Sequence, residues 1–203
     1  MRERWRIEPE RSTLRFRIGH AVLGEIGGQF HCWGGLALLD KADLRRSAVR
    51  IWVDLSSIDA GSPERDEYIL GTELFDLQSE PALVFDSERI ELSSAGRGVV
   101  AGRLAVHSFS TEIAVVVEAR APRRDASGTW HLVYTARTSV NRAAIGLRRS
   151  RHIVDWLDER VLGETLEIDA HVEARRDDRA AADLPPRVPQ RGRVLTPPDL
   201  LRA

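Results

Sequence analysis

A single cysteine, Cys32, stands in 203 residues. With no partner thiol there is no intramolecular disulfide, and no cysteine-built zinc cluster can assemble. Excess charge is missing as well: 30 Lys and Arg against 31 Asp and Glu leave a net charge of −1. No global field gathers nucleic acid or an acidic substrate, so nucleic acid is not an expected partner. Long apolar runs are also absent. The opening MRERWRIEPE has basic residues with no apolar run behind them, and no later segment approaches the roughly 18–20 apolar residues of a membrane span. The expectation is a cytoplasmic protein without leader or anchor. There is no G-x-S-x-G, no Walker loop and no G-x-G-x-x-G, which removes the local signatures of several hydrolases, NTPases and dinucleotide enzymes. Of the histidines His20, His31, His107, His131, His152 and His171, none has a second ligand at a familiar metal spacing. Neither a metal nor a cofactor is expected on that ground.

What the chain does contain is alternation. In STLRFRIGH, Leu14, Phe16 and Ile18 share one face and Arg15 and Arg17 the other, the period of a half-buried strand. In ETLEIDAHVEA, Leu166, Ile168, Ala170 and Val172 alternate with Glu167, Asp169, His171 and Glu173. Six more segments read as strands: 28–39, 48–55, 83–90, 99–107, 111–119 and 130–138. The inward set is ambiguous in GRLAVH and IAVVVEA, where neither alternate is uniformly charged. The connections at 93–98, 107–110 and 122–128 are short and rich in turn residues, which predicts antiparallel hairpins. Eight such strands stack as a sandwich or close on themselves, and closure removes the exposed edges. The fold class predicted is all-β: an eight-stranded antiparallel barrel with one or two short helices capping an end. The pairs Gly27-Gly28 and Gly34-Gly35 read as bulges or bends in that wall, and Cys32, between His31 and Trp33, as a small buried thiol.

Two longer connections interrupt the meander. In 139–163, Ile153, Trp156, Leu157 and Val161 have helical spacing ended by Gly163. In SSIDAGSPERDEYILGTELFD, Ser62-Pro63 followed by Glu64 and Asp66 resembles a helix start, with Ile69, Leu70, Leu74 and Phe75 at helical offsets. Arg65 and Asp66 then read as an anchor for a helical turn over the barrel mouth, or as a polar contact to a ligand, since Arg forks suit carboxylate and phosphate. His20 and His107 read as turn histidines bonding backbone. From residue 175 the pattern stops. Five of the nine prolines and seven arginines fall in 175–203, so the domain is placed at 1–174 and 175–203 is expected to be a disordered tail.

The motifs together resemble the YceI-like family of polyisoprenoid-binding proteins, from Trp5 to Ala174. The family opening W-x-I-D, H-S, F-x-V-x-H is similar to Trp5, Ile7, Ser12, Phe16 and His20. Its SIDT…RD-x-H-L…F-F-D stretch is similar to Ser57, Ile58, Asp59, Arg65, Asp66, Phe75 and Asp76. P-x-x-x-F-x-S is met by Pro81, Phe85 and Ser87, the G-x-L-T-x-H element by Gly102, Leu104 and His107, and R-x-x-F-G by Arg142 and Gly146. Departures are Tyr68 in the His position of the R-D element, Ala105 and Ser108 before and in the tight turn, and Leu74 and Ile145 in place of aromatics. Many family members resemble secreted periplasmic proteins, a location not carried over here.

The resemblance implies a lipocalin-like barrel holding a long isoprenoid or other long-chain lipid. Phe16, Ile18, His20, Arg65, Asp66, Tyr68, Leu74, Phe75, Phe85, His107, Arg142 and Trp156 are the implied mouth or lumen residues. It implies non-catalytic carriage or storage, with transient membrane contact, and makes a homodimer plausible. An enzyme acting on an apolar substrate is the competing reading, with His20, His107 and Tyr68 as its candidates. A filled barrel serving as an interaction module is the third, with Trp33, Trp52 and Trp130 plugging the lumen.

Overall fold

The computed structural model of the chain describes residues 2–70, 82–93, 95–106, 109–146 and 162–177, with the backbone alone for 67–70. One antiparallel sheet of twelve strands carries the fold. They are β1 (Arg2–Ile7), β2 (Thr13–His20), β3 (Gly24–Phe30), β4 (Trp33–Asp40), β5 (Ala48–Asp54) and β6 (Ile58–Asp59), then β7 (Ala82–Leu92), β8 (Arg97–Val106), β9 (Phe109–Ala119), β10 (Arg123–Arg124), β11 (Trp130–Asn141) and β12 (Leu162–Asp177). The helix α1 spans Pro63–Leu70.

These strands merge into eight staves. β1 and β2 lie end to end along one edge of β12, with Ile7 opposite Ala174 and Thr13 opposite His171. β4 pairs with β1 and β3 with β2, while β5 and β6 continue the third stave. β7, β8, β9 and β11 follow in order, and β12 joins β11 to the first stave. The result is a closed eight-stranded barrel, as the alternation and the short hairpins predict.

The first three staves break at neighbouring points: at 8–12, at 31–32 and at 55–57. Each break strips backbone groups of ladder partners, and side chains replace them. Ser12 Oγ donates to the Glu8 carbonyl at 2.8 Å and accepts the Glu173 N–H at 3.0 Å. Ser57 Oγ accepts the Cys32 N–H at 2.9 Å and donates to the Asp54 carbonyl at 2.6 Å. The Ser-Ile-Asp motif therefore locks the second stave to the third where both bend.

Several expectations need correction. Cys32 is exposed, because it sits in the bend of the second stave rather than within a strand. The glycine pairs mark no bulge: their ladders run in register, and the register shifts fall between Ser87 and Arg89 and between Leu162 and Leu166. Gly28 instead makes room, since a Cβ there would stand 2.7 Å from the Phe16 ring and 2.4 Å from the Asp59 carbonyl oxygen. β1 lay outside the eight expected segments, and the last strand passes the expected boundary at 174, running on to Asp177. Gly163 lies inside β12 rather than ending a helix. The helix expected around Ile153, Trp156, Leu157 and Val161, and the tail from 178 onward, lie outside the described residues. No helix among the described residues is long and apolar enough to cross a membrane.

Register settles the ambiguous faces. Leu83 and Phe85 stand opposite Val106 and Leu104, which face Phe109 and Thr111 in turn, so Gly102, Leu104 and Val106 point inward on β8. Ile113, Val115 and Val117 do so on β9, and Tyr134, Ala136, Thr138 and Val140 on β11, opposite Val172, Ala170, Ile168 and Leu166. The opposite alternate carries Arg15, Arg17, Glu112, Glu118, Arg137, Glu167 and Asp169.

Candidate functional site

The barrel interior is packed unevenly. On one side Phe85, Ile90, Val100, Leu104, Val106, Val140 and Ile145 form a buried cluster with Leu55. Trp33, Ile7, Leu14, Val53 and Val172 form a second. Along β9 and much of β11 and β12, by contrast, the inward side chains Ile113, Val115, Val117, Tyr134, Ala136, Leu166, Ile168 and Ala170 are only half-buried. These side chains point into a closed barrel yet retain accessible surface. Most of them pack against the two clusters and still leave part of their surface uncovered on the inside of the wall. Tyr134 shows this most sharply. Burial pushes its phenol well above the ordinary range, because the charged form has lost its water, while the residue as a whole is half-buried. The directly opposed Ala136 and Ala170 widen the same region, having little side chain to fill it.

One end of the barrel is suited to be its mouth. β6 pairs with β3 alone among the described strands, and the β5–β7 ladder stops at Asp54 and Ala82. The chain between β6 and β7 carries α1 at that end. Ser62 starts the helix: its Oγ accepts the Arg65 N–H at 3.3 Å, its carbonyl accepts the Asp66 N–H at 3.1 Å, and Pro63 takes the first turn, where a missing N–H costs nothing. Asp66 Oδ1 accepts the Ala60 N–H at 2.6 Å, and Arg65 Nη1 donates to the Ala60 carbonyl at 3.4 Å. The two adjacent charges thus grip both polar groups of Ala60, which is 1% exposed, and tie the helix to the end of the third stave.

The other expected site residues fall as follows. Phe16 is buried, its ring 5.4 Å from that of Phe30, and Ile18 is half-buried opposite Ile26. His20 ends the same inward row, buried, with Nδ1 accepting the Val22 and Leu23 N–H groups at 3.2 and 3.0 Å. That nitrogen organises the β2–β3 turn and is not available as a base. Phe85 lies in the buried cluster. Arg142 is half-buried and opens a 3-10 turn, Arg142–Ile145, capped by Asn141 Oδ1 accepting the Ala143 N–H at 2.9 Å. The turn ends at Gly146, whose φ of 82° and close neighbour Phe109 explain why glycine follows that motif. Leu74, Phe75, His107, Trp156 and the Tyr68 side chain lie outside the described residues. Of the supposed lumen plugs, Trp33 is buried in the second interior cluster. Trp52 faces outward beside Val84, and Trp130 meets Arg124 and Arg176 at about 6 Å in cation–π contacts. Tyr134 escaped the sequence reading, although it sits on the inward alternate of WHLVYTART.

Residues 5–174 match the family described as the YceI-like domain. Among relatives, a UPF0312 protein of Vibrio campbellii is 25% identical over 107 residues, covering 53% of this chain and 57% of that protein. A UPF0312 protein of Shewanella oneidensis is 22% identical over 141 residues, covering 70% and 74%. The chain thus spans little more than half the length of the Vibrio relatives it matches. Among solved structures, BcnA of Burkholderia cenocepacia superposes with a TM-score of 0.70 at 17% identity, covering 82% of this chain and 98% of that one. A polyisoprenoid-binding domain from Saccharophagus degradans, implicated in plant cell wall breakdown, gives 0.61 at 14% identity, covering 85% and 98%. At these identities the structural likenesses establish a shared fold.

Proposed function

The chain belongs to the YceI-like domain family, and from that membership we propose that it binds a long apolar lipid of the isoprenoid class inside its barrel, without chemically altering it. One observation carries this reading: half-buried apolar side chains line the inside of a closed wall along β9, β11 and β12. The related fold of a polyisoprenoid-binding domain adds support. Tyr134 supplies the polar tip, with no described partner for its hydroxyl, deep enough to meet an oxygen on the lipid.

Energetics shape the mode of action. Burying hydrocarbon from water yields about 0.8 kcal/mol per methylene, so a few isoprene units would saturate any realistic affinity. A lipid that starts in a bilayer gains almost none of this. Selectivity then rests on the length and shape of the lumen and on a contact such as Tyr134, and loading proceeds by contact of the mouth with a membrane.

The test is a detergent-free preparation extracted into organic solvent and analysed by mass spectrometry. An isoprenoid or comparable long-chain lipid is expected in the wild type. Ala136→Trp, which fills the lumen, is expected to abolish it while the unfolding midpoint holds. An empty wild type that also takes up no added polyprenol, read by tryptophan quenching, overturns the proposal.

A further inference from the structure

On the outer face of the barrel, away from the mouth, three ligand atoms converge that local sequence spacing could not bring together. Glu8 follows β1, Glu173 lies on β12 and His131 on β11. Glu8 Oε2, His131 Nδ1 and Glu173 Oε1 all lie within 4.8 Å of one another. His131 is 5% exposed and Glu173 7%, which is unusual for an outward-facing pair. Glu8 Oε2 and His131 Nδ1 are buried and lack a hydrogen-bond partner, while the buried Glu173 Oε1 has ion-pair contacts to Arg11 at 2.9 Å and Arg123 at 3.5 Å but no aligned hydrogen bond. Buried polar atoms are normally satisfied, so two orphans facing a carboxylate oxygen indicate a missing guest.

The geometry points to a divalent transition-metal ion of the zinc class, bound by Glu8, His131 and Glu173. His131 Nδ1 stands 3.4 Å from Glu8 Oε2 and 3.3 Å from Glu173 Oε1, in hydrogen-bonding alignment with neither. A proton shared between imidazolium and carboxylate draws the heavy atoms to about 2.7–2.9 Å. Ligands about 2.05 Å from a tetrahedral zinc ion are instead about 3.3–3.4 Å apart. The tautomer is set from behind. His131 Nε2 lies 2.9 Å from Asp125 Oδ2, and Asp125 Oδ1 is itself fixed by the Ser127 hydroxyl at 2.7 Å and the Thr129 N–H at 2.9 Å. A carboxylate holding the proton on one ring nitrogen leaves the other free to bind metal, the usual support behind a metal-bound histidine.

The backbone around the cluster is rigid. The Glu8 N–H donates to the Glu173 carbonyl at 2.9 Å, and Ser12 bridges the same two residues. Three cations border the site. Arg11 and Arg123 reach Glu173 Oε1 at 2.9 and 3.5 Å, and Arg175 reaches Glu8 Oε1 at 3.6 Å. Arg11 and Arg123 are mostly exposed, and Arg175 engages the other Glu8 oxygen, Oε1. With three protein ligands the fourth position falls to water. Placed where the first stave breaks, the ion would clamp that stave to the two staves that close the barrel.

The full chain, stripped with chelator, is titrated with Zn²⁺ by calorimetry and with Co²⁺ by absorption in the visible. One equivalent is expected, with the intense d–d bands of a low-coordinate cobalt site and a higher unfolding midpoint on Zn²⁺ addition. Glu8→Gln and His131→Gln should each weaken binding at least tenfold, and Asp125→Asn by about 10- to 100-fold. Glu8 is the most accessible ligand, so E8Q keeps the test sharp should H131Q fold poorly; circular dichroism monitors both. The double variant C32S/H31Q controls for chelation at the exposed thiol and should leave binding unchanged. No saturable binding, or binding indifferent to E8Q and D125N, overturns the assignment. So does binding lost only in C32S/H31Q.

Discussion

Asp66→Ala separates the anchoring role of the Arg65–Asp66 pair from direct contact with a bound lipid. The substitution removes the carboxylate that accepts the Ala60 N–H at 2.6 Å. Ala60 is 1% exposed, so water cannot easily replace the lost acceptor. A hydrogen bond to a charged group contributes about 1.5–3 kcal/mol net, and a stranded buried N–H costs a similar amount. For a domain of this size each kcal/mol moves the unfolding midpoint by roughly 2–4 °C, so a fall of about 3–12 °C is expected. Asp66→Asn keeps an oxygen in the same place and should cost less than about 1 kcal/mol. Thermal unfolding of the three proteins, with lipid content per folded molecule measured by mass spectrometry, completes the experiment. An anchor predicts a marked loss of stability in D66A, a small one in D66N and unchanged lipid content in both. If D66A melts like the wild type but comes out stripped of lipid, the anchor reasoning is wrong and the carboxylate touches ligand.

Two further outcomes follow from local geometry. Gly146→Ala places a Cβ at a φ of 82° and 2.4 Å from the Phe109 ring, adding left-handed strain of about 1–2 kcal/mol to overpacking of about 1–3 kcal/mol. A loss of about 2–5 kcal/mol is expected in chemical denaturation, and a change under 1 kcal/mol would show that the turn relaxes freely. The Asp59 carboxyl is held below its ordinary range by the Gly61 N–H first, then by His31 and Gln29. A depressed carboxylate contributes stability that is complete above its unfolded pKa of about 3.9 and is lost as pH falls through the lower folded value. Stability of the wild type should therefore fall more steeply than that of Asp59→Asn across roughly pH 5 to 2, and parallel curves would contradict the assignment.

Alternation made the barrel readable. Charged residues at every second position of β2 and β12 fix which face is wet, and short polar connections allow little but antiparallel neighbours. Where both alternates are apolar or small, as in β8 and β9, only the register with neighbouring strands chooses the inward set. Cys32 was misjudged for a related reason. The segment reads as one strand, but Ser57 and Asp54 hold a bend at that point that no periodicity announces. The motif residues carried more structure than expected. Ser12, Ser57, Asp66 and Gly146 each satisfy or shape backbone at a bend or turn, so part of the family pattern encodes the geometry of the wall.

The outer cluster marks the limit of reading spacing along a chain. Glu8 and Glu173 are separated by nearly the whole domain, and His131 shares no short motif with either, so no ligand pattern could have linked them. Their meeting depends on β12 pairing with the first stave on one side and with β11 on the other, the second being the pairing that completes the ring of staves. Closure therefore does two things. It encloses the apolar interior around Tyr134, and it sets three polar side chains from distant sequence around one point on the opposite side of the wall. A chain with identical strands opened into a sandwich between β11 and β12 would keep every motif and lose both.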